Sequence, residues 1–325
     1  MRPRCIGRTR PVNMKLKFLF IVIICLGLSC TKSKQISYEY DDFIFGSYII
    51  IKVVAEDTIK AQQAVDKAMQ TLKHIDSIAS VFNPQSELSQ INKNKAGKMS
   101  RDLKALITKS IEVSDKSDGA FDVTVGPAMK KWGFYEENQI SNIKNQKSED
   151  IIGYKKIRIM GDTIFLKSGM AIDLGGIAVG YAVDKAYQIL KSEGIKDGLI
   201  DAGGEIICFG NKDYKIGIRN PKTKGIIKTL TLKNMAISTS GNYENFIEKD
   251  NRKYTHIINP KTGQAIADTS GGLASVTIIA DKCVDADAYA TAVFVLGLDD
   301  GQKLIRKLGY QGILITNDGK MVEIK

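Results

Sequence analysis

The hydrophobic positions along the chain change period several times, and each change marks an element. Residues 58–79 place Ala61, Ala64, Val65, Ala68, Leu72, Ile75 and Ile78 at helical spacing, which predicts an amphipathic helix from Thr58 to Ala79. His74 falls on the more polar side of that helix and reads as a surface residue. Ahead of it, Phe45 to Val54 is dense in β-branched and aromatic residues and predicts a strand. Ser86 to Ile91 reads as a short capped helix, and a longer helix runs from about Ser100 to Ser117, stopped by Asp118-Gly119. Lys156 to Leu166 predicts a hairpin around Gly161-Asp162, and Ile172-Asp173-Leu174 a strand that turns at Gly175-Gly176 into a helix over 178–192.

Further strands are expected at 199–209, 214–219, 228–238, 255–258 and 275–280. Helices at 285–296 and 299–308 follow, and a last hairpin turns at Asn317-Asp318-Gly319. No repeat of 20–50 residues and no long linker divides the chain. The mixture reads as α+β, with α/β the neighbouring alternative, and as one catalytic unit over residues 43–325.

The first 29 residues follow another rule. The basic stretch Met14-Lys15-Leu16-Lys17 precedes the apolar run Phe18 to Leu28 and then Ser29-Cys30. That is the order of a signal peptide, and Leu-Gly-Leu-Ser-Cys forms a lipobox, so residues 1–29 are expected to be removed and Cys30 lipidated. An apolar run of about 11 residues is short of the roughly 20 that a spanning helix needs. Residues 1–13 are Arg-rich and read as an over-extended start, with Met14 as initiator. Residues 30–42 are then a lipidated cysteine and a polar tether, and the protein is expected to be an exported lipoprotein held on a bacterial membrane through Cys30.

That leader changes the charge argument. It carries six basic residues and no acid, so the net charge falls from +11 to +5 on its removal. No cluster of Lys and Arg interleaved with aromatics remains, which argues against a nucleic-acid partner. The basic stretch 144–156 is interrupted by Glu149 and Asp150 and reads as solvated surface. Of five cysteines only Cys208 and Cys283 lie beyond residue 30, in apolar strand-like contexts that suit either a disulfide or two buried thiols.

Five segments hold more Gly, Asp, Ser and Thr than packing requires. They are Gly119 to Pro127 with Trp132-Gly133-Phe134; Ile172 to Asp184; Ile200 to Glu205; the Ser238-Thr239-Ser240-Gly241 turn with Thr255-His256-Ile257-Ile258; and Val284 to Thr291. Glycines between a strand and a helix allow backbone N–H groups to approach a phosphate, and equally allow a helix to pack close. Asp287 and Thr291 stand four residues apart on one helical face, where a carboxylate and a hydroxyl suit Mg²⁺; alternatively Asp285 or Asp287 caps the helix. His256 titrates nearest neutrality and is the natural candidate for proton transfer.

In their order these segments resemble the ApbE-type FAD:protein FMN transferases. The resemblance rests on Ser86-Glu87-Leu88-Ser89, Phe121-Asp122-x-Thr124-x-Gly126-Pro127, Asp173-Leu174-Gly175-Gly176, Thr239-Ser240-Gly241, His256-Ile257-Ile258-x-Pro260-x-Thr262-Gly263 and Ala286-Asp287-Ala288-x-Ala290-Thr291. It implies a single ApbE-like, T-fold-related catalytic domain. The implied activity is Mg²⁺-dependent transfer of FMN from FAD to a Thr or Ser hydroxyl of an acceptor protein, with release of AMP and with Mn²⁺ as the other candidate metal. Implied acceptors are subunits of respiratory complexes or extracellular flavoproteins.

By the same resemblance the metal positions fall on the Gly176 carbonyl, Asp287 and Thr291. The flavin-contacting positions fall on Phe45, Phe82, Ala120, Phe121, Asp122, Asp173, Val179 and Ile258, and the general base on His256. Two positions depart from the family pattern: many members carry Lys where this chain has Val179, and Tyr where it has Phe82. An FAD pyrophosphatase with water as acceptor, and a flavin-binding lipoprotein without catalysis, remain as alternatives.

Overall fold

The computed structural model describes residues 35–135, 148–223, 225–243, 245–249 and 252–325. The leader, the lipobox with Cys30 and residues 144–147 of the basic stretch lie outside those residues. Residues 35–325 form one compact unit. Among the described residues no helix is long and apolar enough to cross a membrane.

The chain begins with a hairpin of β1 (Ile36–Ile44) and β2 (Ser47–Ala55), which meet in register across all nine residues of each strand. Most of the expected polar tether is therefore strand. Tyr38 and Ile44 point to the core while Glu39 and Phe43 face out, but Tyr40 and Asp42 break the apolar alternation that would have announced it. The turn between the strands puts Phe45 at φ 56 and Gly46 at φ 74, so Phe45 ends in a turn rather than in the strand expected from residue 45.

α1 (Thr58–Ala79) carries its predicted stripe into the core and is capped by Asp57, which accepts from the backbone of Ile59 and Lys60. α2 (Glu87–Asn94), the short strand β3 (Ala96–Lys98), α3 (Arg101–Lys116) and α4 (Gly126–Trp132) follow. A four-residue turn of helix, α5 (Ser148–Ile151), precedes β4 (Arg158–Met160) and β5 (Thr163–Phe165), which turn at Gly161 as expected, and β5 pairs with β3 on its other edge. α6 (Ala178–Ser192) is the helix predicted after the glycine pair.

The remaining strands are β6 (Asp197–Ala202), β7 (Ile206–Phe209), β8 (Tyr214–Arg219), β9 (Ile226–Leu232), β10 (Met235–Gly241), β11 (Phe246–Lys249), β12 (Arg252–Asn259), β13 (Gln264–Ala267) and β14 (Leu273–Ala280). α7 (Cys283–Leu308), β15 (Gln311–Thr316) and β16 (Met321–Ile324) end the fold. Asn234, at φ 52, divides what the sequence offers as one strand over 228–238. Gly297, at φ 77, breaks α7 where the sequence predicts two helices.

Eight strands form one antiparallel sheet in the order β1-β2-β6-β7-β10-β14-β15-β16. Side chains alternate across it. Ala236, Val276, Ile278 and Leu314 join the main core under α1, α6 and α7. Ile237, Ile279, Ile313 and Ile315 face the other way into a second core, covered by Ile216, Ile218 and Leu232 of the β8–β9 hairpin. Buried on both faces, β14 has no exposed position. The arrangement is α+β. Cys208 and Cys283 are both buried free thiols; burial pushes the Cys208 thiol up to about 12.

Candidate active site

The site forms where the loops after α3, before α6 and between β10 and β12 meet the first turns of α7. α3 ends because Asp118 and Gly119 both adopt left-handed φ, which turns the chain sharply into Ala120-Phe121-Asp122. The Ser117 hydroxyl then accepts from the Phe121 backbone N–H at 3.1 Å. Asp122 is buried, and its carboxylate accepts from the Thr124 N–H (2.8 Å), the Thr124 hydroxyl (2.6 Å) and the Tyr154 N–H (2.8 Å). Burial still raises its pKa against those donors. A carboxylate so engaged shapes this loop instead of offering a free acceptor.

Residues 172–174, expected as a strand, are not one. Their backbone groups are taken singly: Asn92 bonds both the N–H and the carbonyl of Ile172 (2.7 and 2.8 Å), and the Asp173 N–H donates to the Val123 carbonyl at 2.7 Å. This clamps the Asp173 loop against the Phe121 loop. One Asp173 oxygen accepts from the Gly175 N–H at 2.7 Å and the other from the Tyr135 hydroxyl at 2.5 Å. The Tyr135 ring stands edge-on to Phe82 with centroids 5.8 Å apart, and Phe82 is 64% exposed.

The first residues of α6 and α7 lie against each other. A Cβ on Gly180 would come within 2.5 Å of the Cys283 carbonyl and 2.8 Å of the Asp287 Cβ, so close helix packing requires glycine there. The Gly180 N–H donates to Asp287 at 3.0 Å. Neither Asp285 nor Asp287 caps α7: its first free N–H groups, on Cys283 and Val284, donate to Asp184 of α6 at 2.8 and 3.0 Å. Asp285 pairs instead with Lys109 at 2.7 Å. Burial pushes Asp184 up to about 6 and raises Asp287 as well, with Asp184 adding to the effect on Asp287. Substituting Gly180 with Ala is expected to wedge α6 from α7 and cost about 1–3 kcal/mol of stability, as overpacked cores do; an unchanged denaturant midpoint would contradict the close packing.

Thr291 lies one turn along α7 from Asp287. A Cβ on Gly176 would sit 3.2 Å from the Thr291 hydroxyl oxygen and 3.4 Å from the Phe121 ring, which brings Gly176, Thr291 and Phe121 together. The Ser240 hydroxyl is 3.4 Å from that of Thr291. The donor set fits a hard divalent cation: a buried carboxylate and a hydroxyl, with the backbone of a glycine beside them. Among the described residues no Lys or Arg pairs with the buried Asp287 carboxyl, which a cation would offset.

His256 is half-buried on β12. Its backbone N–H donates to the Asn245 carbonyl at 3.0 Å, and its Nδ1 meets the same oxygen at 3.1 Å. A carbonyl only accepts, so the neutral ring carries its proton on Nδ1 and leaves the Nε2 lone pair to accept one. Burial lowers the histidine pKa, opposed by the Asn245 bond and the Asp173 charge. Trp132 ties the strand's end to α4, donating to the Gly263 carbonyl at 3.3 Å and packing on Tyr254 with centroids 5.0 Å apart. His74, by contrast, lies outside this group, half-exposed near Asp102.

The sequence-predicted residues divide accordingly. Phe82 and Asp173 are linked through Tyr135, and Phe121, Gly176 and Thr291 meet directly. Asp287 stands one turn from Thr291, His256 is close enough to Asp173 to feel its charge, and Ala120 and Asp122 lie buried in the same loop as Phe121. Phe45, Val179 and Ile258 are joined to them by no hydrogen bond or ring contact among the described residues. Val179 and Phe45 pack on the main core, and Ile258 is buried with Ala128, Ile152 and Ala265. The sequence pattern assigns no role to Tyr135 or Asp184, which the structure places at Asp173 and at the start of α7. Tyr135 directly follows the Trp-Gly-Phe triplet, and that adjacency is its one sequence signal.

Residues 45–314 match the model of the ApbE family. The chain belongs to the ApbE family. The FAD:protein FMN transferase of Escherichia coli K12 is 27% identical over 292 residues, covering 84% of this chain and 82% of that one. The Vibrio cholerae enzyme of the same name is 30% identical over 277 residues, covering 79% and 82%. Among solved structures, the ApbE protein of Thermotoga maritima superposes with a TM-score of 0.79 at 30% identity, covering 89% of this chain and 97% of its own. The apo flavinyl transferase ApbE of Pseudomonas stutzeri gives 0.78 at 27% identity, covering 90% and 95%.

Proposed function

We propose that this ApbE-family protein transfers FMN from FAD to a Thr or Ser hydroxyl of an acceptor protein, with Mg²⁺ or Mn²⁺ at Gly176, Asp287 and Thr291. The observation that carries the proposal is His256, whose Nδ1 is committed to the Asn245 carbonyl and whose Nε2 is left as a base. A storage protein has no use for a base so prepared.

In this reading Nε2 takes the proton of the acceptor hydroxyl as its oxygen attacks the phosphorus of the FMN half. The new phosphoester bond forms as the pyrophosphate P–O bond breaks, and AMP leaves with the bridging oxygen. A bound divalent cation would neutralise charge on the pyrophosphate oxygens. The Asp173 loop and the Phe121 loop, clamped through Asn92 and Val123, hold the flavin side fixed. Phe82, being exposed, offers a ring face for stacking.

Incubation with FAD, Mg²⁺ and a Thr-containing exported acceptor tests this. Fluorescent FMN retained on denatured acceptor, with AMP in solution, is the expected outcome. Free FMN alone would mean a pyrophosphatase, and bound FAD without AMP a binding protein. We further propose that the protein is exported and anchored by a lipid on Cys30, which the run Phe18 to Cys30 supports. Cys30→Ser is expected to move it from the membrane fraction to the soluble one; an unchanged distribution rules out the lipid anchor.

A further inference from the structure

We propose that Tyr135 is a positioning residue of the flavin site, fixing the Asp173 carboxylate and the Phe82 ring together so that they receive FAD as one surface. This rests on the transferase reading above and adds a residue to it. Three observations converge on Tyr135.

First, its hydroxyl donates to the Asp173 oxygen that the Gly175 N–H does not hold, so both oxygens of that carboxylate are fixed and its plane is set. A carboxylate held at one oxygen only would turn about its bond to Cβ. Second, the Tyr135 ring meets Phe82 edge-to-face at 5.8 Å and 89°. Phe82 follows the end of α1 and is largely exposed, so an edge-on neighbour restricts a ring that solvent would otherwise leave free to turn. Third, the segment leading to Tyr135 is itself anchored: Gly133 ends α4 in a left-handed conformation, and Trp132 is bonded to the Gly263 carbonyl. Tyr135 is thereby held next to a segment anchored on the turn that follows β12, while its hydroxyl reaches Asp173.

The phenol suits the task. Burial and the neighbouring Asp173 charge push its pKa well above the ordinary value, so it remains a donor at any physiological pH. A hydrogen bond to a charged group is worth more than a neutral one, about tenfold to a hundredfold in an equilibrium constant when lost. The expected consequence is on FAD affinity more than on the transfer step, because Tyr135 touches neither His256 nor the Asp287 pair in the contacts described.

The test is a double-mutant cycle on the full-length protein, with Tyr135→Phe, Asp173→Asn and the combination, read by FAD titration and by steady-state transfer. Tyr135→Phe keeps the ring edge on Phe82 and removes only the hydroxyl. It is expected to raise the FAD Kd about tenfold, with KM rising more than kcat falls, and to add little once Asp173 is already Asn. A Kd equal to wild type, a loss confined to kcat, or additive effects of the two substitutions would overturn the proposal. Thermal midpoints measured alongside identify a variant that has lost its fold. Where Asp173→Asn does so, Phe82→Leu and Tyr135→Leu form the cycle instead, and Phe82→Leu is expected to weaken FAD binding less when Tyr135 is already Leu, because the ring edge it meets is then gone. Failure of the wild-type protein to bind FAD at all would instead sink the transferase reading, which keeps the two failures distinct.

Discussion

His256→Ala is expected to retain FAD binding and to slow FMN transfer by about 10²–10⁴-fold, the usual contribution of a positioned base. The direction of the pH dependence follows from the same geometry. Burial lowers the His256 pKa from its ordinary 6.5, so the ring is neutral at pH 7 and Nε2 is available. The wild-type rate should therefore be flat near neutrality and fall only as pH drops through that lowered pKa, when the base becomes protonated. In the Ala variant this acid limb should disappear, leaving a slow rate with no dependence on that group. The Asn245 carbonyl contributes by holding the proton on Nδ1; without it the tautomers would interchange and part of the population would present N–H to the acceptor. Wild-type transfer rates in the variant would remove His256 from the chemistry. A normal FAD Kd is required at the same time, since loss of binding would assign the residue to the pocket instead.

The elements that repeat a simple period were legible in the chain, while those held by partners distant in sequence were not. α1 shows its buried stripe in the spacing of Ala61 to Ile78, and the break in α7 shows in Gly297. β1 was hidden because Tyr40 and Asp42 obscure its inward face, although β2 pairs with it throughout. Residues 172–174 resemble a strand by composition and become a clamped loop because Asn92, eighty positions earlier, takes their hydrogen bonds. The site divides similarly. The Asp287/Thr291 spacing announces a shared helical face, but only the structure shows Asp184 capping α7, which frees Asp287 from that duty. Gly180 is the reverse case: a glycine that suits phosphate approach is required here by the Cys283 carbonyl.

Asp287→Ala is expected to abolish Mg²⁺-stimulated turnover, an effect of several kcal/mol where a cation neutralises a pyrophosphate. Asp287 has two duties that the test must separate. Its carboxylate accepts the Gly180 N–H, which helps to join α6 to α7, and it offers the only acidic oxygen beside Thr291 and Gly176 among the residues proposed to hold the metal. Removing the side chain ends both. Asp287→Asn keeps an acceptor for the Gly180 N–H and removes the charge, so it should hold the helix pair together and still lose the metal. Thermal unfolding with and without Mg²⁺ gives a readout independent of turnover. Wild type should gain stability as Mg²⁺ is added, because a ligand that binds only the folded state stabilises it by mass action. Neither variant should gain any, and Asp287→Asn should remain closer to wild type than Asp287→Ala when no metal is present. An Asn variant that still responds to Mg²⁺ with full amplitude would place the cation elsewhere, because a neutral amide cannot supply the charge that the buried carboxylate brings to this pocket.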